Sequence, residues 1–259
     1  MKMRRNCKKD VMLGAILNLG IIGAAPQVMA DPLVTDRPDF TESPETVAKG
    51  RVQVEAGATF ERSGDERARS LGEVLVRVGT GKRSELRIGL PGHLRFSGNG
   101  SSVSGWDDAY LGAKFVLKEG EGRKPQVALL AGTTLPTGSR RVAERKYQPE
   151  AVLAAAIDLN EKTALSTNIG VARASAGGER FNQLFGSLSL GYSLSDKWGT
   201  YIEVYAFNRN EPGGSTQKYA NTGLTYLVND DFQLDARFGV GLNNGPRERF
   251  WGLGVARRF

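Results

Sequence analysis

His93 and Ser97 are the residues whose types could support nucleophilic chemistry, because a histidine can take the proton from a serine hydroxyl. They stand in the stretch PGHLRFSGNG, residues 91–100. This stretch lacks the spacing of a nucleophile elbow, in which the serine lies on a tight turn between glycines. We therefore interpret His93 as a loop histidine, and we expect neither a catalytic residue nor enzyme activity.

Metal and phosphate chemistry have equally little support. The chain has one His and one Cys, Cys7, whereas a metal site built on these side chains needs several of them. The stretch GTGKRS, residues 79–84, is too short for a G-x-x-x-x-G-K-[ST] phosphate loop and is typical of a hairpin turn. The sequence predicts no metal and no other cofactor.

The first 30 residues have the composition of a cleaved signal peptide. Five Lys and Arg lie within residues 2–9, residues 11–25 are mostly apolar, and Val28-Met29-Ala30 supplies small residues for cleavage. The alternative is a membrane anchor, but an apolar run of roughly 15 residues is short of the ~20 that a spanning helix needs. Cys7 lies before the apolar run, not after it as in a lipoprotein.

The basic character of the chain is largely a property of this leader. The whole chain has 35 Lys+Arg and 28 Asp+Glu, a net charge of +7. Residues 1–30 contain five of the basic residues and one acidic residue, so their removal leaves +3. A nucleic-acid partner, which a strongly basic chain would favour, is therefore not expected. The mature chain also has no cysteine and so no disulfide.

From Arg51 onward, apolar residues recur at every second position, which is the period of a β-strand. The run AVLAAAIDL, residues 151–159, also fits a short helix and is the least secure strand of the set. Twelve strands are predicted, at residues 51–61, 72–78, 85–90, 108–117, 126–135, 150–159, 163–172, 184–194, 198–207, 219–228, 232–242 and 249–259.

The connections alternate between short and long along the whole chain. Short turns are predicted at residues 79–82, 118–125, 160–162, 195–197 and 229–231, and longer polar links at 62–70, 91–105, 136–149, 173–182, 208–218 and 243–248. Such alternation is typical of an up-and-down barrel with one compact end and one elaborated end. We expect the long links to be extracellular and both termini periplasmic.

The polar face of the strands distinguishes a membrane barrel from a soluble one. This face mixes charged residues with many glycines, which suits a crowded polar lumen, and strands of 9–11 residues match a tilted membrane barrel. A one-residue slip in register would turn Arg77, Arg87 and Lys114 toward lipid, at roughly 2–4 kcal/mol each near the midplane. The fold class predicted is therefore all-β: an antiparallel up-and-down transmembrane β-barrel with 12 strands.

Aromatic residues on the apolar face lie near the short turns, as in an interfacial girdle. Ordinary core aromatics are the alternative interpretation. The six concerned are Phe115, Tyr192, Trp198, Tyr226, Phe232 and Phe259.

Charged residues on the opposite face are expected to line the lumen, concentrated on neighbouring strands at the two ends of the barrel sequence. They could form a polar track for a small solute, or they could pair with one another and rigidify a narrow lumen. Tyr201, Tyr205, Phe185 and Phe207 share this inward parity and could stack a flat solute or fill space. The predicted lumen-lining residues are Glu73, Arg77, Glu85, Arg87, Asp108, Lys114, Glu203, Asp235 and Arg237.

The stretch TDRPDFTESPETV, residues 35–47, is polar and is stiffened by two prolines. It belongs to an extended N-terminal segment, residues 31–49, between the signal peptide and the barrel at residues 50–259. A disordered leader is one interpretation. The other is a plug across the lumen, in which Asp36, Arg37, Asp39 and Glu42 pair with Arg77, Arg87, Arg237 and Glu85 of the wall.

The last strand, FWGLGVARRF, resembles the C-terminal assembly signal of bacterial outer-membrane barrels. An aromatic last residue is preceded by alternating apolar ones: Trp251, Leu253, Val255 and Phe259. Arg257 departs from that pattern, although at a strand end it can reach the headgroups. The resemblance implies the barrel assembly machinery as a partner.

The chain as a whole resembles a family of outer-membrane transporters linked to the MetA pathway of phenol degradation. The matching features are Asp36-Arg37-Pro38-Asp39, Thr41-Glu42-Ser43, the Gly50 before the first strand, LPTG at residues 135–138 and the hairpin spacing. The resemblance implies a channel in the bacterial outer membrane for small solutes, with aromatic or other small organic molecules as candidates. The alternative is a non-transporting barrel with a plugged lumen that has a structural or adhesive role. Outer-membrane lipids and a small-molecule solute are the expected partners.

Overall fold

A computed structural model describes residues 32–243 and 248–259 of the chain. The predicted signal peptide, residues 1–30, and part of the predicted link at 243–248 lie outside the described residues. Within the described residues, no helix is long and apolar enough to cross a membrane.

The described chain forms fourteen β-strands. They are β1 Val52–Ser63, β2 Glu66–Gly79, β3 Ser84–Leu90, β4 His93–Gly98, β5 Ser101–Trp106, β6 Ala109–Lys118, β7 Gln126–Leu135, β8 Pro149–Asn160, β9 Thr163–Ala176, β10 Glu179–Ser193, β11 Trp198–Phe207, β12 Gln217–Asn229, β13 Phe232–Gly241 and β14 Arg249–Arg258.

Twelve of these strands form a closed antiparallel barrel, and the predicted fold class is confirmed. The ring closes where β1 pairs with both β2 and β14. The other two strands, β4 and β5, form a hairpin that extends the wall. The first half of β2 pairs with β4 and the second half pairs with β3. One long strand is therefore shared by the barrel and the β4–β5 hairpin.

The two ends of the barrel differ. We call the lower end the one that carries the connections β2–β3, β6–β7, β8–β9, β10–β11 and β12–β13, together with the start of β1 and the end of β14. The upper end carries the remaining connections. The run that could have been helical, residues 151–159, is part of β8, where it pairs with both β7 and β9.

Two of the predicted long links are in fact strand continuations. Residues 62–70 and 173–182 extend β1, β2, β9 and β10 upward to tight turns at Gly64-Asp65 and Gly177-Gly178. The glycines of these turns have φ of +58° to +88°, a conformation that glycine adopts at least cost. The prediction ended these strands too early because a strand that projects beyond lipid need not keep one face apolar.

The predicted link 91–105 was also wrong, since it contains the β4–β5 hairpin. Asn99 (φ +50°) and Gly100 (φ +75°) form its turn. An Asn-Gly pair between two short strands is a strong hairpin signal, so the sequence carried the information. What obscured the strands was again the lack of period-two alternation above the membrane.

The outer face of the barrel is apolar along its height. On β10, Leu184, Leu188, Leu190 and Tyr192 are exposed, whereas Ser187 and Ser189 between them are buried. Three of the predicted girdle aromatics, Phe115, Tyr192 and Trp198, are exposed near the lower end, and Tyr226, Phe232 and Phe259 are partly exposed. The Trp198 and Tyr226 rings pack with centroids 4.7 Å apart. This outward apolar surface is that of a barrel embedded in the bacterial outer membrane.

The inner face is polar and charged. Arg77, Arg87 and Lys114 have at most 1% of their surface exposed, and the carboxylates of Glu55 and Glu85 are equally buried. The register that places the leucines outside therefore places the charges inside, as predicted.

The orientation of the faces predicts the cost of charge on the outside. Leu188→Arg, at mid-height of β10, should lower the free energy of unfolding in lipid vesicles by about 2–4 kcal/mol, because an arginine at the midplane is poorly solvated. Leu194→Arg, at the lower-end turn and also outward, is the matched control and should cost about 0–1 kcal/mol. Equal costs at the two positions would contradict the assignment of Leu188 to the lipid face.

Candidate functional site

Residues 32–49, called the N-terminal segment from here on, lie inside the barrel as a loop that enters and leaves at the lower end. At its entry, the Leu33 N–H donates to the carbonyl of Asp230 in the β12–β13 turn (2.9 Å). At its exit, the Gly50 N–H donates to the carbonyl of Gly79 at the end of β2 (2.8 Å). Between these points the chain rises to the middle of β11.

Asp36 is the main charged anchor of the segment. Its carboxylate is buried and forms ion pairs with Arg77 (3.2 Å), Arg87 and Lys114 (3.0 Å), which come from β2, β3 and β6. Burial by itself would raise the pKa of Asp36, but the three cations outweigh it and hold the pKa well below its ordinary value of 3.8. One ionised aspartate thus neutralises part of a compact cluster of three buried cations.

Backbone N–H groups of the segment bind carboxylates of the wall. The N–H groups of Asp36 and Arg37 donate to Glu55 (3.1 and 3.0 Å), and the Val47 N–H donates to Glu85 (2.8 Å). Both glutamates also pair with the Arg77 guanidinium. The wall carboxylates therefore satisfy the cations and the buried backbone of the segment together.

Arg37 is the positively charged anchor. Its guanidinium pairs with Asp235 (3.3 Å) and lies 3.7 Å from Glu73. It lies flat against the wall at Gly57 and Gly254, where a side chain would collide with it: a Cβ at Gly57 would be 2.5 Å from the guanidinium carbon. These two glycines make room for the arginine.

The apex of the segment, which we define as Asp39–Glu42, is held differently. The N–H groups of Phe40 and Thr41 donate to the carboxylate of Glu203 on β11 (2.9 and 2.6 Å). The Thr41 hydroxyl also bonds the Ser187 hydroxyl on β10 (2.8 Å). Among the described residues, no basic group forms an ion pair with Glu203.

The two ends of the apex bind small polar side chains. The Glu42 N–H donates to Asn168 Oδ1 (2.7 Å), and Asn168 Nδ2 donates back to the Glu42 carbonyl (3.0 Å). The Ser189 hydroxyl donates to Asp39 (3.2 Å). Burial and the nearby Glu203 carboxylate raise the pKa of Asp39 well above its ordinary value of 3.8. Apart from the pairing of Glu42 with Arg87, the apex is held by hydrogen bonds, three of them to the Glu203 carboxylate.

Phe40 adds an aromatic contact at the apex. Its ring stacks on Tyr205 with centroids 4.4 Å apart and an interplanar angle of 14°, and it meets Phe207 and Phe185 edge-on. The inward aromatics predicted to stack a flat solute thus pack against a ring of the chain itself.

Above the segment lies a cavity of about 190 Å³, the upper cavity. Its floor includes Asp39, Phe40 and Glu42, and its walls include Phe185, Phe207 and Glu150.

At the lower end, a second cavity of about 590 Å³ is lined mainly by residues of β8–β12 and the β8–β9 turn, among them Ala164, Gly191 and Gly199. Ser189 and Gly191 are two positions apart on β10, so their side chains face the lumen in adjacent rows. The apex contacts Ser189, whereas Gly191 lines the lower cavity. The apex therefore lies between the two cavities along the β9–β11 wall.

Eight of the nine predicted lumen-lining residues are buried inside the barrel, and Arg237 is partly buried. Arg237 donates to the Pro38 carbonyl (3.1 Å) and to Thr59 (3.0 Å). Asp108 stands apart from the charged wall, because it accepts the N–H groups of Gly138 and Arg145 (2.8 and 2.7 Å) and so fixes the β7–β8 loop. The other eight surround the N-terminal segment.

The pairings of the segment differ in part from those expected. Asp36 and Glu42 contact arginines of the wall, but Arg37 contacts Asp235 and Glu73 and not Glu85. Among the described residues, Asp39 forms no ion pair with a basic group.

Sequence reasoning missed Asn168, Ser187 and Ser189, which hold the apex. Their inward parity was visible in the sequence, but small polar residues gave no sign of a specific partner. Glu55 shares the inward parity of β1, but its position did not indicate that it binds backbone N–H groups of the segment.

His93 and Ser97 are not brought together. Both lie on β4, where His93 pairs with Trp106 and Ser97 with Ser102. Four residues of continuous strand separate them by about 13 Å, far beyond hydrogen-bond distance. The described residues also contain no cluster of three or more His, Cys, Asp and Glu that could hold a metal ion.

Comparison with known proteins places the chain in a family. A family model described as "Putative MetA-pathway of phenol degradation" matches residues 35–259. No curated protein matches the chain in sequence.

Solved structures with the same fold are outer-membrane channels and porins. A channel from Pseudomonas putida F1 has a TM-score of 0.64 at 17% identity, covering 83% of this chain and 98% of that one. The NanC porin has a TM-score of 0.55 at 9% identity, covering 79% and 98%. The KdgM porin, in complex with disordered oligogalacturonate, has a TM-score of 0.52 at 12% identity, covering 79% and 99%. At these identities the likeness is one of fold.

The Asp36 cluster predicts how firmly the segment is anchored. Asp36→Asn leaves three buried cations short of a counter-charge, so it should weaken docking of the segment by about 3–5 kcal/mol. Hydrogen exchange measured by mass spectrometry should then be at least tenfold faster in residues 33–47. Asp65→Asn, the same change at an exposed turn, should leave that exchange unaltered. Full protection in the Asp36→Asn protein would refute the anchoring role.

Proposed function

The chain belongs to the family of the MetA-pathway of phenol degradation, and on that premise we propose that it is an outer-membrane channel for the passive diffusion of small solutes, gated by its own N-terminal segment. The upper end faces the extracellular side in this proposal, and the lower end faces the periplasm. The segment is then a plug that enters from the periplasmic mouth.

One observation carries the proposal: along the β9–β11 wall, the apex, Asp39–Glu42, lies between the residues that line the upper cavity and those that line the lower one. A structural filler would be expected to leave no free volume on both sides of so thin a barrier. A gate needs a small displacement to join two existing spaces.

The anchors and the apex have different roles in the proposed gating. The anchors at Asp36 and Arg37 are ion pairs with buried partners, whose separation would leave uncompensated charges. The apex is held mainly by hydrogen bonds to Glu203 and to the small polar side chains of Ser187, Ser189 and Asn168, which water can replace as the apex moves. We therefore place the moving part at residues 39–42 and keep the rest of the segment fixed.

The upper cavity favours a solute with a flat ring. Phe40, Phe185 and Phe207 line it together with Tyr110, so a small aromatic molecule finds ring faces and edges there. Small aromatic or other small organic molecules are accordingly the proposed solutes. We propose no catalytic role, because His93 and Ser97 lie about 13 Å apart on β4.

The second candidate is a non-transporting barrel with a structural or adhesive role. The dense ion pairing between the segment and the β1–β6 wall favours it, since this half of the lumen is filled. The two candidates differ in whether the lumen ever conducts.

Assembly of the barrel is proposed to use the C-terminal signal. Trp251 and Leu253 face outward and are exposed, and Val255 and Phe259 are partly exposed. The outer face of β14 is therefore apolar at these four positions. The barrel assembly machinery is the partner that this signal implies.

Removal of the plug is the direct test of gating. Deletion of residues 31–47 should raise single-channel conductance in planar bilayers severalfold, because it joins the two cavities and clears the charged wall. Deletion of residues 99–100, the turn of the β4–β5 hairpin, which lines neither cavity, is the control and should leave conductance unchanged. If the 31–47 deletion conducts no better than the whole protein, the plug is a passive tail or the barrel does not transport.

The raised pKa of Asp39 predicts how gating responds to pH. An acid whose pKa is raised on docking stabilises the docked apex when it is protonated. That contribution is present at low pH and is lost as the pH rises above the ordinary value of 3.8 and through the docked pKa. The probability of opening should therefore increase as the pH rises from about 4 toward neutrality. Asp39→Asn should flatten this pH dependence in single-channel recordings, whereas Asp65→Asn should keep it; an unchanged profile in Asp39→Asn would contradict the role of Asp39.

A further inference from the structure

The outer face of the upper end carries five exposed arginines, called the arginine patch: Arg62, Arg67, Arg69, Arg95 and Arg249. They come from the neighbouring strands β14, β1, β2 and β4. The strands pair so that like charges lie directly opposite one another. Arg62 faces both Arg249 and Arg67, and Arg69 faces Arg95. Directly opposed side chains of antiparallel strands lie on the same face, where like charges destabilise the sheet.

The protein supplies no counter-charge for the patch. Among the described residues, no carboxylate forms an ion pair with any of the five arginines. Glu61 and Glu66 each directly precede an arginine of the patch, so their side chains point to the opposite face of the strand. Arg62 Nε donates to the Gly64 carbonyl (3.1 Å), which is a neutral acceptor. An anion that compensates the patch must therefore come from outside the chain.

The patch lies directly above the lipid-facing surface. It spans two rows of the sheet, and the lower row also contains Phe60 and Trp251, whose rings stack with centroids 4.1 Å apart. The next row down contains Leu71 and Leu253, both exposed. Successive rows are about 7 Å apart along a strand. A step from apolar through aromatic to charged residues over so short a height marks the level of the lipid headgroups.

Clustered arginines favour phosphate as the anion, because a guanidinium stays charged and can donate two parallel N–H bonds to it. Three spacings of about 4.8 Å between the four strands make the patch about 14 Å wide, so it can contact more than one phosphate group. A free anion would gain only the contact with charge. A lipid would also place its acyl chains on the rings and leucines below the patch.

We propose that the arginine patch binds a phosphorylated glycolipid of the outer leaflet, with the arginines on its phosphate groups and the row of Leu71 and Leu253 beneath its acyl chains. The choice of an outer-leaflet lipid rests on the proposed function, in which the upper end is extracellular. Binding does not depend on conduction. The bound lipid bridges the β14–β1 seam, where the barrel closes, and offsets the repulsion between the opposed arginines.

The test compares probes that differ in phosphate and in acyl chains. Native mass spectrometry of the purified full barrel, refolded in detergent without lipid, would use diphosphoryl lipid A, monophosphoryl lipid A with the same acyl chains, and inorganic phosphate. Diphosphoryl lipid A should bind about tenfold more tightly than the monophosphoryl form, because it engages more of the arginines. Inorganic phosphate at equal concentration should not displace it. Equal binding of the two lipids, displacement by inorganic phosphate, or no lipid binding would overturn the inference.

Paired variants assign the site. Arg67→Gln with Arg69→Gln should weaken binding of diphosphoryl lipid A about 25-fold, since each basic residue at an anionic lipid surface contributes about a fivefold gain in affinity. Arg140→Gln with Arg141→Gln removes the same charge from the exposed β7–β8 loop at the same end and should leave binding unchanged. A heat-modifiable gel shift shows that each variant is a folded barrel. Unchanged binding in the first pair, or equal weakening in both pairs, would refute the arginine patch as the site.

Conductance measured on the same preparation separates this inference from the proposed function. A barrel that binds diphosphoryl lipid A selectively but never conducts would refute transport and leave the lipid site standing. A conducting barrel that does not distinguish the two lipids would refute the lipid site and leave transport standing.

Discussion

The ion pairs between Asp36 and the three buried cations Arg77, Arg87 and Lys114 are the interaction on which the arrangement of the lumen depends. The register that gives the barrel its apolar exterior forces these cations into the interior, where charges without partners are costly. Glu55 and Glu85 compensate them only in part, and the segment supplies the rest. Barrel and plug are therefore one electrostatic unit, and the segment is part of the fold as well as of the proposed gate.

The distribution of charged residues along the wall explains why the two halves of the lumen differ. The β1–β6 wall concentrates cations and carboxylates and holds the segment firmly. The β8–β12 wall has small polar side chains, among them Asn168, Ser187 and Ser189, and leaves a cavity beside the segment. The apex bridges the two halves through hydrogen bonds and one ion pair, between Glu42 and Arg87. We place the moving part of the proposed gate there.

Much of the fold could be predicted because lipid imposes a rule on every membrane-spanning strand. The twelve barrel strands, the faces on which their side chains lie and the lower-end turns follow from the alternation of apolar and polar residues. Strands β4 and β5 were missed because they lie above the membrane, where this alternation is not required. For the site, the charged partners of Asp36 were visible as residue types. The contacts of backbone N–H groups with Glu55 and Glu203 were not, since they depend on the path of the segment and not on its side chains.

The most direct measurement of the central claim is a reversible tether of the apex to the wall. Thr41 and Ser187 have hydroxyls 2.8 Å apart, and apart from Cys7 in the predicted leader the sequence has no cysteine, so Thr41→Cys with Ser187→Cys can form a single defined disulfide. Single-channel recording of the oxidised protein should show no openings, and reduction should restore them. Openings of ordinary size and frequency in the oxidised, fully cross-linked protein would contradict the account.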